Sequence, residues 1–185
     1  MLNRLLRKNG INPDTLTILD RLAIIGNSGM GALEFQPEYS IETGSSELNL
    51  DYMAEQCQKI LKAEYAENLD ELYRLGGTSG GARPKIMTEI DGEDWIVKFP
   101  ATMDGENTGK MEYEYSVCAK ECGIEMPQTR LFPSEKCAGY FGVKRFDRRG
   151  KVGEAQAEKI HMLTVAALLE LDFEQPSLDY HSLMK

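Results

Sequence analysis

The sequence predicts an α+β fold built on an antiparallel sheet with one packed helix. Three observations predict it. Ile86 to Ile90 and Trp95 to Phe99 both read as strands, and Asp91-Gly92 between them is a strong hairpin signal. Residues 108 to 122 carry a helical pattern stopped by Gly123, and two more strand-like runs follow, Thr129 to Phe132 and Ala138 to Phe146. Ahead of the hairpin stands Gly76-Gly77-Thr78-Ser79-Gly80-Gly81-Ala82-Arg83-Pro84-Lys85. Its glycines, set around two hydroxyls, let the backbone approach a ligand closely, and consecutive amides there can form an anion-binding nest.

Composition narrows the class. A chain of 185 residues makes one ordinary domain or two small ones. Hydrophobic content of 42% and charged content of 28% are those of a soluble globular protein. The formal net charge of −9 provides no field that favours DNA or an anionic membrane, so neither nucleic acid nor membrane is expected as a direct partner. No apolar run approaches the roughly 20 residues needed to span a bilayer. The segment Met1 to Lys8 is too short and too charged for a secretion signal, which points to the cytoplasm. The cysteines are Cys57, Cys118, Cys122 and Cys137. Cys118 and Cys122 have a spacing that can serve a metal, yet no CxxC pair occurs and neither His161 nor His181 is near, so buried free thiols are expected.

Taken in order, residues 1 to 25 read as two helical segments. Leu2, Leu5 and Leu6 form the apolar face of the first. Asn12-Pro13 then looks like a cap followed by proline at the first helical position, with Leu16, Leu19, Ala23 and a further candidate, Leu22, facing inward and Gly26 ending the run. Gly29 to Phe35 suggests a short extended piece closed by Pro37, and residues 40 to 47 a polar linker. From Asp51 the helical period places Met53, Cys57, Ile60 and Leu61 on one side and Lys59, Lys62 and Glu64 on the other. A shorter helix from Asn68 through Leu75 delivers the chain to the glycine-rich segment. Pro100 ends the second strand, and Asp104-Gly105-Glu106-Asn107 is a loop with a cap. The helix after it turns Met111, Tyr115, Cys118 and Cys122 to one face and carries Glu112 and Glu114 in its first half. Asp147 to Gly150 reads as a basic turn. In the tail, Met162, Val165, Ala166, Leu168 and Leu169 make an apolar stretch, and Ser177 caps a last helix holding Leu178 and Leu183. Apolar patches on these helices invite self-association, so a homo-oligomer is expected.

The order loop, strand, turn, lysine-bearing strand, helix, strand, strand is that of a protein-kinase small lobe. There a glycine-rich loop covers ATP, a strand lysine grips its phosphates, a helix glutamate pairs with that lysine, and the last strand leads to a hinge at the adenine. Lys98, inside the apolar run Trp95-Ile96-Val97-Lys98-Phe99, is that lysine. A strand lysine also serves simply as a solvated side chain, and the spacing alone fits many α+β folds. The combination is more selective.

Together these segments resemble the HipA family of bacterial toxin kinases, the toxin half of type II toxin–antitoxin systems. The carrying runs are residues 76 to 85, Trp-Ile-Val-Lys-Phe-Pro at 95 to 100, Glu112-Tyr113 with Ala119 and Gly123-Ile124-Glu125-Met126-Pro127, and Tyr-Phe-Gly-Val-Lys-Arg-Phe-Asp-Arg at 140 to 148. His161 to Leu169 and Pro176 to Tyr180 also fit, and the match covers residues 50 to 185 in the expected order. Residues 1 to 40, with Gly31-Ala32-Leu33, are similar to the end of the family's small N-terminal subdomain. The resemblance implies three parts: the end of that subdomain at 1–45, a kinase-like small lobe with ATP loop and hinge at 46–148, and the start of a helical large lobe at 149–185. It implies a serine/threonine kinase that uses ATP and Mg2+, known members phosphorylating an aminoacyl-tRNA synthetase and so halting translation. A HipB-like helix-turn-helix antitoxin is the implied partner.

By position in the family pattern, Gly80, Gly81, Ala82 and Lys85 lie in the phosphate loop and Lys98 on the ATP phosphates. Lys144, Arg145 and Phe146 fall at the hinge and Asp147 near the ribose. Thr78, with Ser79 beside it, falls where the family carries its autophosphorylated hydroxyl, whose phosphorylation is linked to loop ejection and inactivation. Glu112 is the first choice for the partner of Lys98, and Glu114 the second. Thr78 also suits a residue that only shapes the turn, Phe146 suits the core as well as an adenine platform, and Arg148 and Arg149 read as a solvated turn.

The chain departs from kinase patterns in two ways. Its loop is not the G-x-G-x-x-G of ordinary protein kinases. The family's catalytic loop, an Asp-containing run with a His and an Asn, and its metal-binding Asp are not found in residues 1 to 185 and are expected downstream. Asp172-Phe173-Glu174 lacks the glycine of D-F-G, and Arg145-Phe146-Asp147 has no asparagine five positions later. Phosphoryl transfer needs metal ions on the phosphates and a group that orients the attacking hydroxyl, so no catalytic residue or metal ligand is expected here and the chain alone is expected to be inactive. A function from another class is a non-catalytic binding module that regulates a partner kinase or antitoxin. The retained loop and Lys98 argue against it.

Overall fold

A computed structural model describes residues 3, 6, 7, 10–39, 49–62, 83–150, 158–172 and 178–184. Several expectations lie outside the described residues: the loop from Gly76 to Ala82 with Thr78, Ser79, Gly80 and Gly81, the linker at 40–47, the helix from Asn68 to Leu75, and Leu2, Leu5, Glu64 and Ser177. The described chain contains helices α1 (Ile18–Ile25), α2 (Leu50–Leu61) and α3 (Thr108–Glu121) and strands β1 (Lys85–Ile90), β2 (Glu93–Lys98), β3 (Thr129–Phe132) and β4 (Tyr140–Lys144). A short strand pair, β5 (Arg148–Arg149) and β6 (Glu158–Lys159), and two one-turn helices, α4 (Val165–Leu168) and α5 (Tyr180–Leu183), complete it. The fold is therefore α+β. Its main sheet is antiparallel in the order β1-β2-β4-β3.

The hairpin forms where Asp91-Gly92 predicts it, because both residues take left-handed backbone, φ 56° and 74°, as the tightest hairpin turns require. This turn sets the register from Lys85 opposite Lys98 to Ile90 opposite Glu93. Side chains alternate across a strand. Trp95 and Val97, with Phe99 just beyond the strand, therefore point to one face and join Ile86, Phe132 and Tyr140 beneath Met53, Ala54 and Cys57 of α2. Within this core Trp95 meets Phe132 edge-on at 5.3 Å and Phe99 meets Tyr140 edge-on at 5.1 Å. Each such pair contributes about 0.5–1.5 kcal/mol beyond burial. Gly142 makes the packing possible, because a Cβ there would lie 2.3 Å from the Phe132 ring. Asp51 secures α2 from its first turn, accepting hydrogen bonds from the Ser134 and Tyr140 hydroxyls at 2.6 and 2.7 Å.

The opposite face of the sheet carries Lys85, Ile96, Lys98 and Phe141, and α3 covers it. The helix start rests on the chain entering β4, since a Cβ at Gly109 would fall 2.2 Å from the Gly139 carbonyl oxygen. Ser116, buried in mid-helix, shares a 2.9 Å hydroxyl hydrogen bond with Thr129. Met111, Tyr115, Cys118 and Cys122 do share a face, but it is turned to solvent, with Tyr115 73% exposed. The sheet beneath presents lysines, so the helix meets it with a carboxylate and small residues instead of its apolar stripe. Burial of the thiols consequently holds for Cys57 alone; Cys137 is half-buried and the other two are exposed.

The N-terminal expectations need further corrections. The second helix does not run from Pro13: Asn12 caps a 3-10 turn, Pro13–Thr15, and Thr17 opens α1 through a reciprocal capping box with Asp20. Competition from these short polar side chains breaks the run. Leu19 is 76% exposed, and within α1 only Ala23 is buried. Gly26, at φ 54°, ends the helix as expected. Gly29 to Phe35 forms no strand; Gly31 instead packs on Met162, and Lys159 bonds the Asn27 carbonyl and the Glu34 carboxylate. The last main strand is shorter than Ala138 to Phe146, because Gly139 at φ 124° and the turn at Phe146 and Asp147 bound it. The supposed basic turn is strand β5, paired with β6. In the tail, Leu168 and Tyr180 are 65% and 84% exposed, so α4 and α5 do present apolar side chains to solvent. No helix among the described residues is long and apolar enough to cross a membrane.

Candidate functional site

Strand alternation decides where Lys98 points. Its neighbours Val97 and Phe99 are sealed in the core, which leaves the lysine on the α3 side. Lys85 stands directly across the ladder from it on β1, and Phe141 directly across on β4, with the Lys98 ammonium 5.1 Å from the ring centroid. From above, α3 lowers Glu112, whose Oε2 lies 3.1 Å from Lys98 Nζ. Glu114, the other candidate, pairs with Lys110 on the exposed side of the helix. The Coulomb attraction at 3.1 Å is about 5 kcal/mol at an effective dielectric of 20. Because the two side chains are 33% and 24% exposed, solvent screening and side-chain ordering reduce the net value to about 1 kcal/mol.

Arg83, just outside β1, completes the cluster. Its NH1 donates to Glu112 Oε1 at 3.0 Å, while Nε and NH2 donate to the two Asp104 oxygens at 2.7 and 3.0 Å. Asp104 Oδ2 also accepts the Ala101 N–H at 2.7 Å. These bonds hold the Asp104 carboxyl below its usual range and the Arg83 guanidinium above its own. Burial pushes the Lys85 amine down, the Lys98 charge adds to that, and Glu112 opposes it. Arg83, Lys85, Lys98, Ala101, Asp104 and Glu112 together line an open cavity of about 360 Å³. Among the described residues, three cations and two carboxylates line this cavity. An ammonium carries three donors, so a lysine paired with one carboxylate oxygen can still donate to an anion.

The residues expected at the hinge lie apart from this cavity. The register sets Lys98 opposite Phe141 and Trp95 opposite Lys144, about 10 Å along the strand. Lys144 Nζ pairs with Glu93 at 2.5 Å, and the Arg145 backbone N–H donates to the Asp94 carbonyl at 2.8 Å. The Asp147 side chain is 0% exposed. Its Oδ1 accepts from Arg145 Nε at 2.9 Å, and its Oδ2 from Arg145 NH2 at 2.6 Å, the Gly31 N–H at 2.8 Å and Arg148 NH1 at 2.9 Å. Burial raises the Asp147 pKa, but the bonds from Arg145 and Gly31 and the two arginine charges outweigh it and hold the carboxyl below its usual range. The carboxylate expected near a ribose is thus enclosed against the N-terminal segment. Arg148, expected in a solvated turn, is part-buried and also donates to the Gly31 carbonyl at 3.1 Å. Phe146 is exposed, so of its two expected places it does not take the core. The hollow between Lys144, Arg145, Arg148 and the hairpin turn holds about 20 Å³, too small for a base.

The structure therefore brings Lys85, Lys98 and Glu112 together and sets Lys144, Arg145 and Asp147 apart from them. It adds two residues the sequence reading missed. Arg83 is legible only as part of the glycine-rich segment, and Asp104 reads as part of a capped loop. In fact Asn107 stands at the N-cap of α3 without a side-chain bond, and Asp104 serves Arg83. Among the described residues no group of three or more His, Cys, Asp or Glu side chains is arranged to hold a metal ion. Compared with known proteins, the family model for the HipA-like C-terminal domain matches residues 77–185. No curated protein matches the chain.

Proposed function

The chain belongs to the HipA-like C-terminal domain family, and from that premise we propose that it is the ATP-binding portion of a HipA-like toxin kinase. HipA proteins are generally serine/threonine kinases. The observation that carries the reading is the Lys98–Glu112 ion pair, 3.1 Å long, with Lys85 beside it in one cavity. In a kinase small lobe that pair holds the lysine against the nucleotide phosphates. Lys98 and Lys85 donate to the phosphate oxygens, and Glu112 keeps the Lys98 ammonium from swinging away from them.

Gly80, Gly81 and Ala82 supply backbone amides to the same anion on the family pattern, and Thr78 or Ser79 is the candidate for autophosphorylation. A hinge role at 144–146 falls to the exposed Phe146, because the side chains and backbone N–H groups of Lys144 and Arg145 are engaged within the chain. When bound, ATP supplies the phosphoryl group, and Mg2+ neutralises charge on it. No residue of this chain is assigned as a ligand of that ion. Enclosed by two arginines, Asp147 does not orient an attacking hydroxyl, so this chain alone is expected to bind ATP without transferring phosphate. A small lobe at 46–148 between parts of two other domains, an aminoacyl-tRNA synthetase as substrate, a helix-turn-helix antitoxin as partner and a cytoplasmic setting complete the proposal on family membership.

Titration of the full chain with a fluorescent ATP analogue tests the reading. Saturable binding is expected, weakened about tenfold or more by Lys98→Met, which removes a charge-assisted phosphate contact. Absence of binding, or equal binding by the variant, refutes it. Incubation with radiolabelled ATP is expected to leave both the chain and a synthetase unlabelled; labelling of either overturns the claim that transfer needs more than this chain.

A further inference from the structure

We propose that Asp104 is the positioning residue of this cavity: through Arg83 it fixes the Glu112 carboxylate and thereby the ammonium of Lys98. The four side chains stand in series with alternating charge. Asp104 is itself held by the Ala101 N–H at 2.7 Å and takes two of the Arg83 nitrogens, at 2.7 and 3.0 Å. The guanidinium is planar and its donors diverge in fixed directions. With Nε and NH2 committed to Asp104, only NH1 reaches Glu112, and it takes Oε1 at 3.0 Å. Oε2 is left for Lys98 at 3.1 Å. Each Glu112 oxygen thus has its own cation, and the carboxylate cannot rotate without breaking one contact.

Asp104 therefore also acts by restraint. Released from Asp104, Arg83 can turn its fork onto both Glu112 oxygens, the favoured bidentate geometry for guanidinium and carboxylate. Lys98 would then lose its partner. Asp104 lines the same cavity as the lysines, so its charge also opposes an incoming anion; its net value to the site lies in placing Lys98.

The relay stands on the contacts above, while its effect on nucleotide affinity rests on the ATP reading, so two measurements on the full chain separate them. The first uses no nucleotide. A water-soluble acetylating reagent followed by peptide mass spectrometry reads the reactivity of each lysine, and Asp104→Asn is expected to speed acetylation of Lys98 about fivefold, the value of an ion pair worth ~1 kcal/mol. Lys144, paired with Glu93, is expected to be unchanged. In the second, Asp104→Asn weakens the fluorescent ATP analogue about tenfold, yet adds less than about twofold in a Glu112→Gln background, because coupled residues are not additive. Asp91→Asn, which alters an exposed pair with Arg130 at the hairpin turn, stays at wild type in both.

Unchanged Lys98 reactivity in Asp104→Asn, or an affinity loss of equal size in the Glu112→Gln background, overturns the proposal. Raised Lys98 reactivity in a chain that binds no nucleotide upholds the relay and sinks the ATP reading. If Asp104→Asn fails to fold, Asp104→Ser releases the same guanidinium fork and is expected to raise Lys98 reactivity alike; no rise overturns the relay.

Discussion

Replacing Asp147 by asparagine keeps the side chain's shape and removes its charge, leaving Arg145 and Arg148 in place at 9% and 17% exposure. Removing one partner of a buried ion pair costs about 3–5 kcal/mol, since the remaining charge stays desolvated. Arg148 keeps some water and its bond to the Gly31 carbonyl, so the lower end, about 3 kcal/mol, applies. In a chain of this length that lowers the thermal midpoint by about 6–12 °C. With a urea slope near ~2 kcal/mol/M it moves the urea midpoint by about 1.5 M. Urea unfolding followed through Trp95, the chain's one tryptophan and fully buried, reads this directly.

The pH dependence has a definite sign. The folded pKa of Asp147 lies below its ordinary 3.8, so its contribution is present above that value and is lost as pH falls through the lower folded one. Asp147→Asn should therefore flatten the acid limb of the stability profile below about pH 4. A loss under about 1 kcal/mol with an unchanged acid limb would refute the clasp. Weaker binding of the ATP analogue at unaltered stability would instead restore the ribose role.

Gly142→Ala places a methyl 2.3 Å from the Phe132 ring and is expected to destabilise the chain by about 3 kcal/mol in urea unfolding; wild-type stability would mean the ring lies elsewhere. Thiol titration of the folded chain should modify Cys118 and Cys122 at once and Cys57 only on unfolding. Burial pushes the Cys57 thiol up from 9.0 to about 12, so its contribution is complete below pH 9 and is lost as pH climbs between those values. Cys57→Ala should remove that part of the alkaline slope. Tyr140→Phe deletes the hydroxyl that donates to Asp51 at 2.7 Å and is expected to cost about 1–2 kcal/mol in the same unfolding assay.

The hairpin, the two later strands and the long helix were legible because local rules determine them: an Asp-Gly turn, alternating or uniformly apolar runs, and a glycine stop at Gly123. Pairing of Lys98 with Glu112 in place of Glu114 was implied by the family resemblance, and the structure places Glu112 beside it. The failures share a cause. A helix pattern shows that Met111, Tyr115, Cys118 and Cys122 share a face, but not what lies under the helix; a sheet surface bearing lysines selected the polar face. Nor does linear spacing reveal that Gly31, distant in the chain, would present its N–H to Asp147 at 2.8 Å and enclose that carboxylate. Asp104 was invisible for the same reason, since its partner Arg83 stands across two strands and a loop.

Lys98 stands between Val97 and Phe99, two of the most deeply sequestered residues in the molecule. A slip of one position along β2 would drive an ammonium group into the hydrocarbon interior and turn valine out to water. Misassembled hairpins are thus penalised twice over, and the proposed anion site is created by the same event that closes the protein interior. A preparation's active fraction, counted by ligand titration, would therefore also count the molecules whose strands are correctly aligned.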